Sequence, residues 1–243
     1  MNLKNRFYAF GIHVIFSFLL LILALLLVFK LWYPAPLDQA MGVTEIFWFI
    51  LGVDLILGPL LTFVVFNPKK KELKRDLIII LVIQIAAYIY GLYTVAQGRP
   101  VWQVFIVDDI ELVRAIDIQG ESSVYPAKLF SKPQWVAAVY SENPEIANKQ
   151  KQAEMFEGVS LASRPETYQP LKTRKSQIGN KLKKLELLQQ FNSPEQVKVI
   201  LDQYPNNIVG YLPVKGFSKD MVALFDYNFN AVAIVDLRPW SEN

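Results

Sequence analysis

No cysteine occurs anywhere in the 243 residues, and the single histidine is His13. The first absence excludes disulfides, thiolate metal sites and cysteine nucleophiles. The second removes the commonest general base from everything beyond the first apolar run. G-x-S-x-G, H-E-x-x-H and a glycine-rich phosphate loop are missing as well. Asp108 and Asp109 are adjacent acids, but neighbouring strand residues point to opposite faces and do not form an acid/base pair. The expectation is a protein that is not an enzyme, with no catalytic residue, no cofactor and no bound metal.

What the chain has in abundance is long apolar sequence. Residues 7–29, 46–66 and 77–96 are each long enough to cross a ~30 Å hydrocarbon core as a helix. After Gly98 no comparable run appears. The expected fold is a three-helix transmembrane bundle over residues 1–98, followed by a soluble α+β domain with an antiparallel sheet over 99–243. The first run exceeds the ~7–15 residues of a signal h-region and leads into "KLWYPAPLD" without a small-x-small cleavage pattern, so it reads as a retained anchor.

Positive charge orients these runs. Lys4 and Arg6 precede the first, and "NPKKKELKRD" separates the second from the third, whereas the opposite flanks carry only Lys30 and Arg99. The bias toward basic cytoplasmic loops puts the N-terminus and the 67–76 loop inside. The 30–45 loop and the soluble domain then lie outside, which is the periplasm if the host has two membranes. Trp32, Tyr33 and Trp48 fall where an outer aromatic belt belongs. The formal charge of +3 resides in the membrane flanks: residues 98–243 hold 17 Lys/Arg and 17 Asp/Glu. That balance argues against nucleic acid as a partner.

Within "LGVDLILGPLL" stands Asp54, a carboxylate whose insertion near a bilayer centre costs about 2.5–3.5 kcal/mol. At ~1.5 Å per residue it lies roughly 18 Å above the cytoplasmic end of its span. Tyr88 lies at a matching depth on the third run, with Tyr90 and Ser17 as further candidates for a hydrogen bond to it. His13 and Gln84 pair by depth nearer the cytoplasm. Gly58 shares the Asp54 face at i, i+4; Pro59 follows and tends to kink the helix. Ala87 and Gly91 make a small-xxx-small face suited to close helix approach. Asp54 reads either as a functional group (a proton relay, an ion site or a docking point for a partner's helix) or as a carboxyl that pins helix register.

The soluble part reads as strands over 99–107 and 135–140, with 110–118 a strand or, alternatively, a helix. A helix follows from Asn143-Pro144 to about Glu157, then loop or extended chain over 163–171. Apolar residues at helical spacing, Ile178, Leu182, Leu185, Leu188 and Phe191, predict an amphipathic helix. Ser193, Pro194 and Gln196 are a helix start with a capping box. "MVALFDYNFNAVAIVDL" predicts two strands around a turn at 227–230. Lys172, Arg174, Lys175, Lys181, Lys183 and Lys184 form a basic stretch, either a solvated helix face or a contact with anionic lipid headgroups or an acidic partner. Trp102 and Trp135 are candidate surface contacts.

Three stretches together resemble the type IV pilin accessory proteins of the TfpX/TfpZ kind: "GVDLILGPLLTFVVFNPKKKELKRDL", "YGLYTVAQGRPVWQVFIVDDIELV" and "DMVALFDYNFNAVAIVDLRPW". Residues 140–200 match only through the spacing of "RPETYQP". The resemblance implies a multi-pass inner-membrane protein that supports type IV pilus biogenesis. Its partners would be the major pilin and possible further inner-membrane pilus components. Two other readings stay open on residues alone: a membrane-anchored extracytoplasmic sensor, and a transporter subunit in which Asp54 titrates.

Overall fold

The computed structural model describes residues 3–120, 122–204 and 207–241, leaving out the side chains of Ile46, Phe49, Ile50, Leu51, Val53 and Asp54. Contacts divide the chain into two units, one of residues 1–31 and 43–97, the other of residues 32–42 and 98–243.

The first unit is helical. Helix α1 (Leu3–Leu26) widens into a π-helical turn over Leu27–Trp32. Helix α3 (Val43–Val65) contains Pro59, and helix α4 (Leu73–Gly98) follows the basic loop. Among the described residues, two helical stretches, Leu3–Trp32 and Leu73–Gly98, are long and apolar enough to cross a membrane, and Leu55–Val65 of α3 is a shorter apolar stretch. Large apolar side chains such as Ile15, Leu19, Ile56, Val64, Ile83 and Ile89 are exposed on all three helices. Phe7 and Phe10 of α1 pack tilted and edge-on against Phe63 of α3, with centroids 5.1 and 6.1 Å apart.

The second unit is built on a seven-stranded sheet, in which β1 (Pro100–Ile106) begins two residues after α4 ends. The other strands are β2 (Asp109–Arg114), β3 (Gln134–Ala138), β4 (Tyr168–Pro170), β5 (Ile208–Lys215), β6 (Met221–Asp226) and β7 (Ala231–Val235). Their order is β4-β3-β1-β2-β5-β6-β7. The sheet is mixed rather than antiparallel as the sequence predicts, because β1 pairs with β3 and β2 pairs with β5 in parallel. The sequence shows why. Long connections, 115–133 before β3 and the largely helical 171–207 before β5, separate each parallel partner from the preceding strand, and a long crossover permits parallel pairing. Pro213 lies on β5, and the β2–β5 ladder covers only 110/214 and 111/215. Proline cannot donate to a ladder, so this short joint is where the sheet tolerates it.

Side chains alternate across the sheet. Phe105, Ile110, Leu212, Val214, Ala223 and Phe225 fall in one core layer. Trp102, Val104, Val113 and Val136 face a second core, closed by Leu161 and Tyr168. Tyr211, Val222, Leu224 and Val235 face a third with Leu188 and Val197.

Segment 32–42 completes the first layer. Its short helix α2 (Leu37–Met41) buries Leu37 and Ala40 against the sheet, and the Ala40 carbonyl accepts from Ser218 N at 2.8 Å and Lys219 N at 3.2 Å. Trp32 and Tyr33 of this segment are buried, only 3% and 2% exposed. They do not form the aromatic belt that their position in the sequence suggests; Trp48 is exposed on α3.

Between β3 and β5 lie helices α5 (Pro144–Gln152), α6 (Lys175–Lys181) and α7 (Pro194–Leu201). Asn143 Oδ1 caps α5 by accepting from Glu145 N at 2.9 Å, and Ser193 Oγ caps α7 through Gln196 N at 3.2 Å. The amphipathic helix expected through 178–191 is broken. After α6 the backbone of Lys183 pairs with Tyr211 in both directions, and a 3-10 helix follows over Leu185–Gln190. Gly210 permits this approach, since a Cβ there would sit 2.7 Å from the Lys183 carbonyl oxygen.

Candidate functional site

Polar residues inside the apolar helices are costly unless they find partners, so their partners mark where the helices meet. Among the described residues, one node, a network of polar side chains, spans all three long helices of the helical unit. Thr62 Oγ1 of α3 lies 2.6 Å from His13 Nδ1, and His13 Nε2 contacts Gln84 Oε1. Gln84 Nε2 then donates to Ser17 Oγ at 2.9 Å. With the Gln84 amide in this orientation, a neutral imidazole carries its proton on Nε2 and accepts from the threonine hydroxyl. One relay of hydrogen bonds thus joins α1, α3 and α4. Gly58 makes room for it: a Cβ at that position would lie 2.7 Å from Gln84 Cδ and 2.8 Å from Nε2. Beside the node, a groove of about 430 Å³ is lined mainly by Ile12, Phe16, Phe66, Leu77 and Leu81.

The residues singled out in the apolar runs divide between two surfaces. Gly58, Pro59, Tyr88 and Gly91 are buried, and Ala87 is exposed. Tyr88 donates to the Leu20 carbonyl at 2.9 Å. The expected Tyr88–Asp54 bond, and every reading of the Asp54 side chain, fall outside the described residues. Ala87 and Gly91 do not form one open face, because Gly91 turns inward with Tyr88 and Val95.

Among the expected surface contacts, Trp102 is corrected to a core residue. It is 3% exposed and makes edge contacts with Tyr125 and Tyr168, at 5.9 and 5.4 Å between centroids. Its place on a strand buried along both faces is the cause. Trp135 is half-buried, its ring 6.4 Å from that of Phe225. Lys181 and Lys184 are exposed and Lys183 is half-buried. The break after α6 keeps them from sharing one helix face.

Sequence reasoning missed a clamp at the end of the sheet. Asp220 Oδ1 accepts from Gly216 N at 3.0 Å, and its Oδ2 accepts from Trp240 Nε1 at 2.9 Å. Asp236 bridges Lys219, at 3.0 Å, and Arg238. Gln39, Gly216, Lys219, Asp220, Arg238 and Trp240 line a polar cavity of about 680 Å³. No motif or periodicity along 219–238 marks this clamp in the sequence. A second ion cluster joins Lys215 to Asp109 at 2.6 Å and to Glu111 at 3.7 Å. Burial would lower the Lys215 pKa, but hydrogen bonding and charge from these acids outweigh it and hold the pKa above the usual lysine value. No group of three or more metal-ligating side chains is present among the described residues.

Comparison with known proteins bears on the chain as a whole. A family model described as "Fimbrial assembly protein FimB" matches residues 1–42. The fimbrial assembly proteins of Dichelobacter nodosus serogroups E1 and I are each 30% identical to this chain over 239 residues, covering 93% of both sequences. That of serogroups C1 and C2 is 42% identical over 110 residues, 44% of this chain and 84% of that protein. No solved structure matches. With relatives at this identity along nearly its whole length, the chain belongs to the FimB family of fimbrial assembly proteins.

Proposed function

We propose that this protein is a non-enzymatic accessory factor of type IV pilus biogenesis that contacts the major pilin in the bacterial inner membrane. The observation that carries the reading is the 30% identity, over 93% of both chains, with proteins named for fimbrial assembly. The apolar outward faces of α1, α3 and α4 support their insertion as a three-helix bundle. The basic residues of the 67–76 loop favour a cytoplasmic N-terminus and a periplasmic sheet domain. In water such exposed apolar surface would be an aggregation liability; in hydrocarbon it carries no penalty.

A pilin, as the family resemblance implies, waits in the membrane on one long apolar helix with its globular domain outside. The face available to that helix is the exposed side of α4, where Ile83 is 63% and Tyr90 73% exposed and Ala87 lies between them. A small residue flanked by larger ones lets a second helix approach closely. Gly58 and Gly91 serve the protein's own packing instead.

The test is a host strain lacking this protein, complemented with wild type or with Ala87→Trp. Wild type restores surface pili and co-purifies with pilin. The variant reaches the membrane at the same level but loses both. Normal piliation in the deleted strain would refute the assembly role, and undiminished pilin recovery with the variant would refute the α4 contact.

A further inference from the structure

The segment between β2 and β3 carries apolar side chains that the sheet domain does not cover. Val124 and Phe130 are each 74% exposed and Leu129 is 45% exposed, with exposed Lys128 and Lys132 beside them. The segment is nonetheless well anchored. Tyr125 packs its ring against Trp102 and Tyr168, Lys128 N donates to the Pro126 carbonyl at 2.9 Å, and Ser131 Oγ donates to the Lys128 carbonyl at 3.0 Å. Two further bonds tie it down. Trp32 Nε1 donates to the Leu129 carbonyl at 2.7 Å, and Arg99 Nη2 reaches the Lys128 carbonyl at 3.4 Å.

Those two anchors have a special place in the chain. Trp32 is the last residue of the apolar stretch Leu3–Trp32, and Arg99 directly follows the stretch Leu73–Gly98. Loop residues 128 and 129 are thus bonded to two of the three points where the chain passes between the helical unit and the sheet domain. Phe130, one residue on, is within about 4 Å of Leu129 along the backbone. If the helices span a bilayer, both anchors mark its outer surface. At that depth apolar and aromatic side chains are favoured, and lysines attract anionic headgroups.

We infer that loop 124–132 is a lipid-binding element that inserts Leu129 and Phe130 into the outer interface of the membrane and sets Lys128 and Lys132 against anionic headgroups. It takes the interfacial role that Trp32 and Tyr33 do not fill, since the Trp32 indole points inward to hold this loop. The inference rests on the membrane reading above. Exposure alone does not single the loop out, because Phe156 is 79% exposed elsewhere in the domain; the anchoring at both helix exits does.

The absence of cysteine makes the test clean. Full-length protein carrying one introduced cysteine, Phe130→Cys, or Val124→Cys to leave Phe130 in place, is labelled with an environment-sensitive fluorophore. It is then reconstituted into phosphatidylethanolamine/phosphatidylglycerol vesicles with headgroup-proximal nitroxide lipids. Labels at 130 and 124 are expected to shift to the blue and be quenched by the lipid, while a label at Phe156→Cys is not. Lys128→Glu with Lys132→Glu should reduce the quenching, and so should omission of the anionic lipid. Quenching at 130 and 124 no greater than at 156, with a label at Val82→Cys quenched by deep nitroxides, would overturn the loop assignment and leave the membrane reading standing. No quenching at 82 would overturn both. A blue shift that grows with protein density and ignores lipid nitroxides would assign the surface to a second copy and also overturn the proposal.

Discussion

His13 shows how one residue organises the helical unit. Its ring has two polar atoms to satisfy in apolar surroundings, and Thr62 and Gln84 meet both. The His13–Gln84 pairing was legible because depth along a helix follows from counting residues. The Thr62 and Ser17 contacts were not, because rotation about the helix axis depends on packing that no count supplies. Asp220 and Trp240 went unnoticed for a related reason: a clamp between strand ends twenty residues apart leaves no periodic trace. A testable residue is Tyr140, whose hydroxyl donates to Glu154 while Glu154 Oε1 accepts from Leu161 N at 2.9 Å. Burial first, then the hydrogen bond to Glu154 and its negative charge, push the Tyr140 pKa up to about 12. The folded value exceeds the ordinary value of 10.0, so the stabilisation is complete below that pH and is lost as pH rises through about 12. Tyr140→Phe should therefore flatten part of the fall in stability between those values, measured by chemical denaturation of the detergent-solubilised protein at stepped pH. An unchanged slope would mean that other groups carry the alkaline transition.

Among elements, the terminal hairpin was the most legible. Asp226 Oδ1 accepts from Asn228 N and Asn230 N, each at 2.8 Å, which is the polar turn that the asparagines announced. Strands β1 and β3 were also readable from alternation and β-branched content, whereas the stretch 110–118 ends its strand at Arg114 and turns into a 3-10 helix over Ala115–Asp117. β5 was not, because Gly210 and Pro213 are poor strand residues in isolation and find their place only between partners already laid down. The 178–191 periodicity correctly identified Ile178 and Leu188 as buried, yet not the break between them, which depends on the distant Gly210. The largest surprise is segment 32–42. Short and proline-bearing, it reads as a loop between apolar runs, but it completes a face of the sheet. Leu37 is 4% exposed there, and truncating a buried leucine typically costs about 2–5 kcal/mol. Leu37→Ala should lower the unfolding midpoint of the sheet domain accordingly, followed by tryptophan fluorescence, while leaving membrane insertion unchanged. An unaltered midpoint would make this segment peripheral to the core.

At the scale of the whole molecule, the chain passes three times between a helical unit and a mixed-sheet domain, at both ends of segment 32–42 and after residue 97. Family membership agrees with the resemblance read from the second apolar run, the start of the sheet domain and the final hairpin. The proposed pilin contact uses the exposed α4 face. The most direct test of that claim is site-specific photo-crosslinking in the native host from position 87, with positions 83 and 90 alongside and buried position 91 as control. The account predicts adducts with pilin from 83, 87 and 90 and none from 91. Adducts confined to other copies of this protein, or absent from all three exposed positions while the protein remains in the membrane, would contradict it.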